Sequence, residues 1–173
     1  MKAIEFWKTI AVDHANFLDE FIAVLRDEHI SFCVVGGQAV NAYVEPLVSL
    51  DLDLVIAVDQ LALIDGILGK RFRLARFPHS LNISVPRSNL RIQIQTDPRY
   101  FPFVERAAPK DVLGLSLPVA SIEDVLQGKV WAVSDPTRRA SKRQKDLADI
   151  SRILEAYPEH RREIPEEILS RLL

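Results

Sequence analysis

Cysteine occurs once in these 173 residues, at Cys33, so the chain can close no internal disulfide and offers no thiolate cage for a metal. The four histidines, His14, His29, His79 and His160, are dispersed without metal-ligand spacing, which argues against a zinc enzyme. No apolar run approaches the ~20 residues that a membrane-spanning helix requires. The N-terminal stretch MKAIEFWKTIAVDHANF also lacks the charged start, long apolar segment and cleavage site of a signal peptide. A cytoplasmic protein with no membrane partner is expected. Net charge is only −2, so no global field draws nucleic acid and any such binding must use a local patch. Internal repeats, low-complexity tracts and an obvious linker are absent too.

What is present is the composition of a soluble globular chain, 48% hydrophobic and 27% charged, which disfavours disorder. Asp13 can cap a helix over 14–29 that places Phe17, Leu18, Phe21, Ile22 and Leu25 on one face. Ser31 to Val35 reads as a strand, ended by Gly36-Gly37 before a short helical stretch, QAVNAYV, that Pro46 stops. Leu50 to Val58 is the next strand, and Asp59 caps a helix to Leu68 that buries Leu63, Ile64, Ile67 and Leu68. RFRLARF is a weak strand. SLNISV and NLRIQIQT alternate strictly around PRSN and form an antiparallel hairpin over 81–96. Leu115 to Val119 is expected as an edge strand, because Pro118 cannot donate to a ladder. Ser121 with Asp124 makes a capping-box arrangement for a helix to 134. A further helix over 141–157 buries Leu147, Ile150, Ile153 and Leu154 until Pro158, and EEILSRLL closes the chain as a short helix. The expected fold is α/β (α+β), a mixed sheet flanked by helices, with a core over 1–120 and a helical segment over 121–173 packed on it as one domain.

The chemistry concentrates in CVVGGQAVNAYVEPLVSLDLDLVIAV, residues 33–58. Residues two apart on a strand share a face, so Asp51 and Asp53 point together while Leu52, Leu54 and Ile56 point away. Two adjacent carboxylates in an otherwise apolar strand repel each other and call for positive charge between them. A divalent cation with hard oxygen ligands, Mg²⁺ above all, answers that need and keeps positions for water and phosphate oxygens. Gly36-Gly37 at a strand-to-helix turn lets backbone N–H groups and the helix dipole face an anion. Either feature alone suits an ordinary turn or a solvated acidic pair; in succession they point to a nucleotide and metal site.

The segment GGQAVNAYVEPLVSLDLDLVIA resembles the signature of the DNA polymerase beta superfamily of nucleotidyltransferases, in which a GG or GS turn precedes a DxD strand. KVWAVSDPTRRASKRQKDLADISRIL, especially Lys129 followed by Lys145-Asp146-Leu147-Ala148-Asp149-Ile150, is similar to the AbiEii branch, the nucleotidyltransferase components of type IV toxin–antitoxin systems. The resemblance spans residues 30–155 and implies attack by an acceptor hydroxyl on the α-phosphate of a nucleoside triphosphate, with Mg²⁺ as cofactor and pyrophosphate leaving. It assigns Asp51 and Asp53 to the metal and catalysis, and Gly36, Gly37 and Gln38 to the phosphates. Lys129 and Lys145 become triphosphate contacts, with Asp146 or Asp149 orienting basic groups. The acceptor is a tRNA end or other RNA, or a protein hydroxyl, and an antitoxin is the implied partner.

The superfamily's third carboxylate is not evident. Its strand is RIQIQT, where Gln93, or failing that Gln95, stands at the position expected to be acidic. A glutamine can ligate through its carbonyl but brings no charge and is no general base. Asp97 shares the parity of Gln93 but lies about 13 Å further along an extended strand, so it would need a bend to reach a metal. The basic run Arg138, Arg139, Lys142, Arg143 and Lys145 precedes the last long helix, where cations oppose the helix dipole and a compensating anion is expected: triphosphate, RNA backbone or a carboxylate of the protein. Trp131 and Tyr157 read as packing aromatics. Two alternatives to the enzyme stand: a catalytically silent domain binding nucleotide or a partner protein through the same pocket, and an RNA-binding module using the 138–145 patch.

Overall fold

Seven strands form one mixed sheet in a computed structural model that describes residues 16–172. In chain order the elements are α1 (Phe17–Asp27), β1 (Phe32–Val35), α2 (Gly36–Tyr43), β2 (Asp51–Ile56), α3 (Val58–Leu68), β3 (Arg73–Phe77), β4 (Ser80–Ser84), β5 (Arg91–Gln95), a 3₁₀ turn (Pro98–Tyr100), α4 (Phe103–Arg106), β6 (Ala108–Val112), β7 (Leu115–Val119), α5 (Ile122–Ser134), α6 (Ala140–Ala156), a second 3₁₀ segment (Pro158–Glu163) and α7 (Glu166–Leu169). The sheet order is β3-β4-β5-β2-β1-β7-β6. β2 runs antiparallel to β1 and parallel to β5.

The apolar faces predicted for the first and last long helices are buried in the core. Phe17, Leu18, Phe21, Ile22 and Leu25 of α1 are all buried, and Phe17 and Phe21 meet Phe72 at ring separations of 5.4 and 6.0 Å. Leu147, Ile150, Ile153 and Leu154 bury one stripe of α6. Strand residues and the helices after residue 121 contribute to the same hydrophobic cluster. The hairpin of β4 and β5 forms as expected, with Leu81 opposite Ile94. Asp13 lies outside the described residues.

Four local expectations change. β7 is interior, parallel to β1 with Val34 level with Val119, and it is covered on its other side by β6, a strand the sequence reading left out. Pro109 lies opposite Pro118, so the two residues that lack an N–H fall on the same rung and the ladder is spared a second gap. Asp59 makes no side-chain cap, since α3 starts two residues earlier, at Val58 behind Ala57, and the carboxylate serves only the dipole of the first turn. Leu63 is 59% exposed, because α3 buries just Ile64 and Leu68, four residues apart, and turns its neighbours outward. Gly36 and Gly37 belong to α2 itself, so β1 passes into the helix without a separate turn.

Candidate active site

The parallel register of β2 and β5 builds the floor of the site. Asp51 stands beside Arg91 and Asp53 beside Gln93, with Asn82 of β4 opposite Gln93 in turn. Leu52 and Leu54 are buried on the other face, so the alternation that singled out the two acids holds in the sheet. Asp51, Asp53, Gln93 and Gln95 line a cavity of about 190 Å³. Its other walls include Tyr100 and Phe103, and Asp124, Gly128, Lys129, Arg138, Lys142 and Asp146 from the last two long helices and the loop between them.

Gly36 forms the corner. Its φ is +66°, and a Cβ built on it would fall 2.3 Å from Asp53 Oδ2, so the position needs glycine both for its backbone and for the space. Gly37 is adjacent: its Cβ would lie 3.3 Å from Ser49 Oγ and 3.7 Å from Lys145 Nζ. Lys145 therefore lies beside Gly37 of the glycine pair. Gln38 does not present its side chain to the cavity. Its Nε2 donates to the Ser49 carbonyl (3.0 Å) and its Oε1 accepts from Asn41 (3.4 Å), which secures the loop before β2 and leaves only the backbone N–H of Gln38 to face an anion.

The carboxylates differ in their company. Asp51 has Arg91 Nε at 2.7 Å from Oδ1 and Lys142 Nζ at 3.5 Å from Oδ2. Asp53 has no ion pair among the described residues; burial and then the charge of Asp51 push its carboxyl up to about 6, against the pull of Lys129, Lys145 and Lys142. The sign of the resulting pH dependence follows. In the cation-free protein the folded state keeps a proton on Asp53 between about pH 4 and 6 that the unfolded chain has released, so stability falls as pH rises through that window and levels off above it. Asp53→Asn is expected to remove that slope, raising stability at pH 7.5 by roughly 3 kcal/mol and changing nothing below pH 4, as read from urea unfolding in the presence of a chelator.

Across the cavity lies a buried ionic network. Lys129 Nζ donates to Asp146 Oδ1 at 3.0 Å and contacts Asp149 Oδ2 at 2.7 Å, with all three side chains at most 8% exposed. Burial alone would drive the ammonium toward its neutral form, yet Asp149 and Asp146 hold its pKa above the ordinary lysine value. Arg138 also pairs with Asp146. Arg152 extends the network: one guanidinium nitrogen donates to Asp149 (2.9 Å) and another to Asn41 Oδ1 (3.1 Å) and the Glu45 carbonyl (2.6 Å), tying α6 to the loop that leads into β2. Much of the compensating anion sought for the basic run is thus the protein's own, as Lys142 meets Asp51 and Arg138 meets Asp146. Arg143 Nη2 donates to the carbonyls of Asp135 and Arg138.

Asp97 lies outside the cavity wall. Its carboxylate accepts from the backbone N–H of Arg99 and pairs with that guanidinium at 2.8 Å, and the Arg99 hydrogen bonds hold its pKa below the usual carboxylate range. The strand bend that would carry it toward Asp53 is a 3₁₀ turn that commits it to Arg99 instead. Asp124 is the residue that sequence reasoning missed. Ser121 caps α5 by accepting from the Asp124 N–H (3.2 Å), but the Asp124 side chain takes Arg106 in a two-point pair at 2.8 and 2.9 Å. Its position as the third residue of a capping box masked that role. Trp131 stacks on Phe103 at 5.8 Å and Tyr157 sits edge-on to Tyr43, both packing aromatics as expected.

Asp51, Asp53 and the Gln93 carbonyl make an all-oxygen donor set that suits a hard divalent cation such as Mg²⁺. Asp51 Oδ1 is buried and, despite its proximity to Arg91, makes no aligned hydrogen bond, so it has capacity for a ligand. No group of three or more acidic, histidine or cysteine side chains is placed to hold a metal among the described residues.

Against known families, residues 37–172 match the model described as the nucleotidyl transferase AbiEii toxin of type IV toxin–antitoxin systems. This chain belongs to the AbiEii nucleotidyltransferase family. No curated protein matches it. Among solved structures, this AbiEii-family chain is similar to ANT(2″)-Ia in complex with adenylyl-2″-tobramycin, at 13% identity and TM-score 0.61, covering 90% of this chain and 97% of that one. It is similar also to the lincomycin-bound lincosamide antibiotic adenylyltransferase LnuA, at 10% identity and TM-score 0.54, over 83% and 99% of the two chains. JHP933 from Helicobacter pylori aligns at 18% identity and TM-score 0.53, over 92% and 71%. At these identities the likeness is one of fold, and it agrees with the mixed sheet flanked by helices. No helix among the described residues of this AbiEii-family member is long and apolar enough to cross a membrane.

Proposed function

We propose that this AbiEii-family member is a Mg²⁺-dependent nucleotidyltransferase that moves a nucleoside monophosphate from a nucleoside triphosphate to a hydroxyl on RNA, a tRNA end in particular, or on protein, as the toxin of a pair restrained by an antitoxin in the cytoplasm. The observation that carries the reading is the convergence of Asp51 and Asp53 with the Gly36 corner and the cations of α5 and α6 on one cavity. When bound at Asp51, Asp53 and Gln93, Mg²⁺ supplies charge neutralisation on the triphosphate.

The chain's own residues supply the rest. Backbone N–H groups at Gly36 and Gly37 face the phosphates at the N-terminus of α2, and Lys145 adds charge above that corner. Lys142 and Arg138, both lining the cavity, stabilise the negative charge that gathers as pyrophosphate leaves. Lys129 donates to Asp146 and is ion-paired with Asp149 as well, so it chiefly fixes the wall. Gln93 and Gln95 cannot take the acceptor's proton, and Asp124 and Asp146 are held by arginine and lysine partners. Substrate positioning and electrostatics therefore carry the reaction.

Transfer of label from each α-labelled nucleoside triphosphate to total RNA and to protein tests the proposal. Wild type is expected to transfer, and Asp51→Asn or Asp53→Asn to lose on the order of 100-fold or more. A silent nucleotide- or partner-binding domain is the second reading, favoured by Gln93 in place of an acid and by Arg91 and Lys142 already seated on Asp51. Nucleotide binding without transfer to either acceptor supports that second reading, and loss of both nucleotide and Mg²⁺ binding removes the first.

A further inference from the structure

Charge counted around the floor of the cavity limits what it can hold. Two carboxylates, Asp51 and Asp53, lie there; the residue in register beside Asp53 is neutral Gln93, and Gln95 beyond it is neutral as well. Asp51 is already approached on one oxygen by Arg91 and on the other by Lys142, from a strand and a helix that reach it from different directions. Two divalent cations would bring four positive charges to two negative ones, with two protein cations in contact. One divalent cation balances the acids and leaves the protein cations for a polyanionic ligand.

We propose that this is a single-cation site, in which Gln93 sets the limit of one and Lys142, seated on Asp51 until that cation arrives, then brings to the polyanionic ligand the positive charge that a second cation would supply. The amide of Gln93 fits the part. Asn82, directly opposite it on β4, has a buried Oδ1 with no hydrogen-bond partner, which an N–H of Gln93 would satisfy while turning the Gln93 carbonyl toward the cation beside Asp53. Lys142, the more labile of the two contacts at 3.5 Å, is the group that a cation must displace from Asp51 and the one then free to meet phosphate.

The inference deepens the nucleotidyltransferase reading but is tested apart from activity. Mn²⁺ is titrated into the full chain without nucleotide, and the free ion is followed by its electron paramagnetic resonance signal. Wild type is expected to bind one Mn²⁺ per chain, Lys142→Met to bind one roughly tenfold more tightly, and Gln93→Asp to bind two. Two ions in wild type, none in wild type, an unchanged affinity in Lys142→Met or a count that stays at one in Gln93→Asp would each overturn it. Binding of ATP, CTP, GTP and UTP, each measured separately by calorimetry, distinguishes the two failures. One Mn²⁺ with no nucleotide bound leaves the cation site standing and removes the transferase, whereas nucleotide bound at a two-ion site does the reverse.

Discussion

Lys129→Met is expected to destabilise the protein by about 3–5 kcal/mol, the cost of leaving buried carboxylates without their cation. Methionine matches the stem of lysine, so cavity formation contributes little and the loss isolates the charge. Asp149 would keep Arg152 and Asp146 would keep Arg138, but the centre of the network, where both carboxylates converge on one ammonium at 3.0 and 2.7 Å, would hold only repulsion. Urea unfolding reads the effect as a fall in midpoint at unchanged slope. A further result identifies its origin: Asp149→Asn in the same chain should restore part of it. A loss that Asp149→Asn leaves untouched would show that Lys129 matters for packing alone.

The second large effect belongs to Gly36→Ala. A non-glycine residue at φ +66° costs about 1–3 kcal/mol by backbone strain alone. The added methyl also meets Asp53 Oδ2 at 2.3 Å, and that oxygen belongs to a short side chain on an interior strand that has little room to yield. Nucleotide transfer is expected to fall to background in a protein that is folded but of lower melting temperature. Gly37→Ala is the control: it has ordinary φ and a nearest contact of 3.3 Å to a serine hydroxyl, so it should retain measurable binding of nucleotide. Equal losses from the two variants would mean that the N-terminus of α2 as a whole, and not the approach of Gly36 to Asp53, governs the site.

The parts of this site that were legible in the sequence are those that depend on short-range geometry. Period two placed Asp51 and Asp53 together, helical spacing exposed the stripes of α1 and α6, and the resemblance to a superfamily with a third carboxylate on a strand after the DxD singled out Gln93, which the sheet sets beside Asp53. What stayed hidden depended on elements far apart in the chain. Spacing on a helix shows that Asp146 and Asp149 share a face, but only the packing of α5 on α6 makes that face an interior one and turns a set of surface ion pairs into a buried network. Pro118 argued for an edge because nothing in its own strand shows that Pro109 would arrive opposite it. Asp97 looked a short bend away from the metal site, and Arg99, two residues on, captured it.

The contact between Lys142 and Asp51 joins residues ninety-one positions apart, and its meaning extends to the order in which the protein is made. At about 5–20 residues per second, the strand carrying the acids leaves the ribosome many seconds before the helix carrying its counter-charges exists. During that interval Asp51 and Asp53 have a scaffold to pair with in β1, but no cation from α5 or α6 to face them. Translation interrupted before residue 140 would release a chain with the signature strand but without α6, so the cavity gains its Lys142 and Asp146 wall only after β2 has long been made.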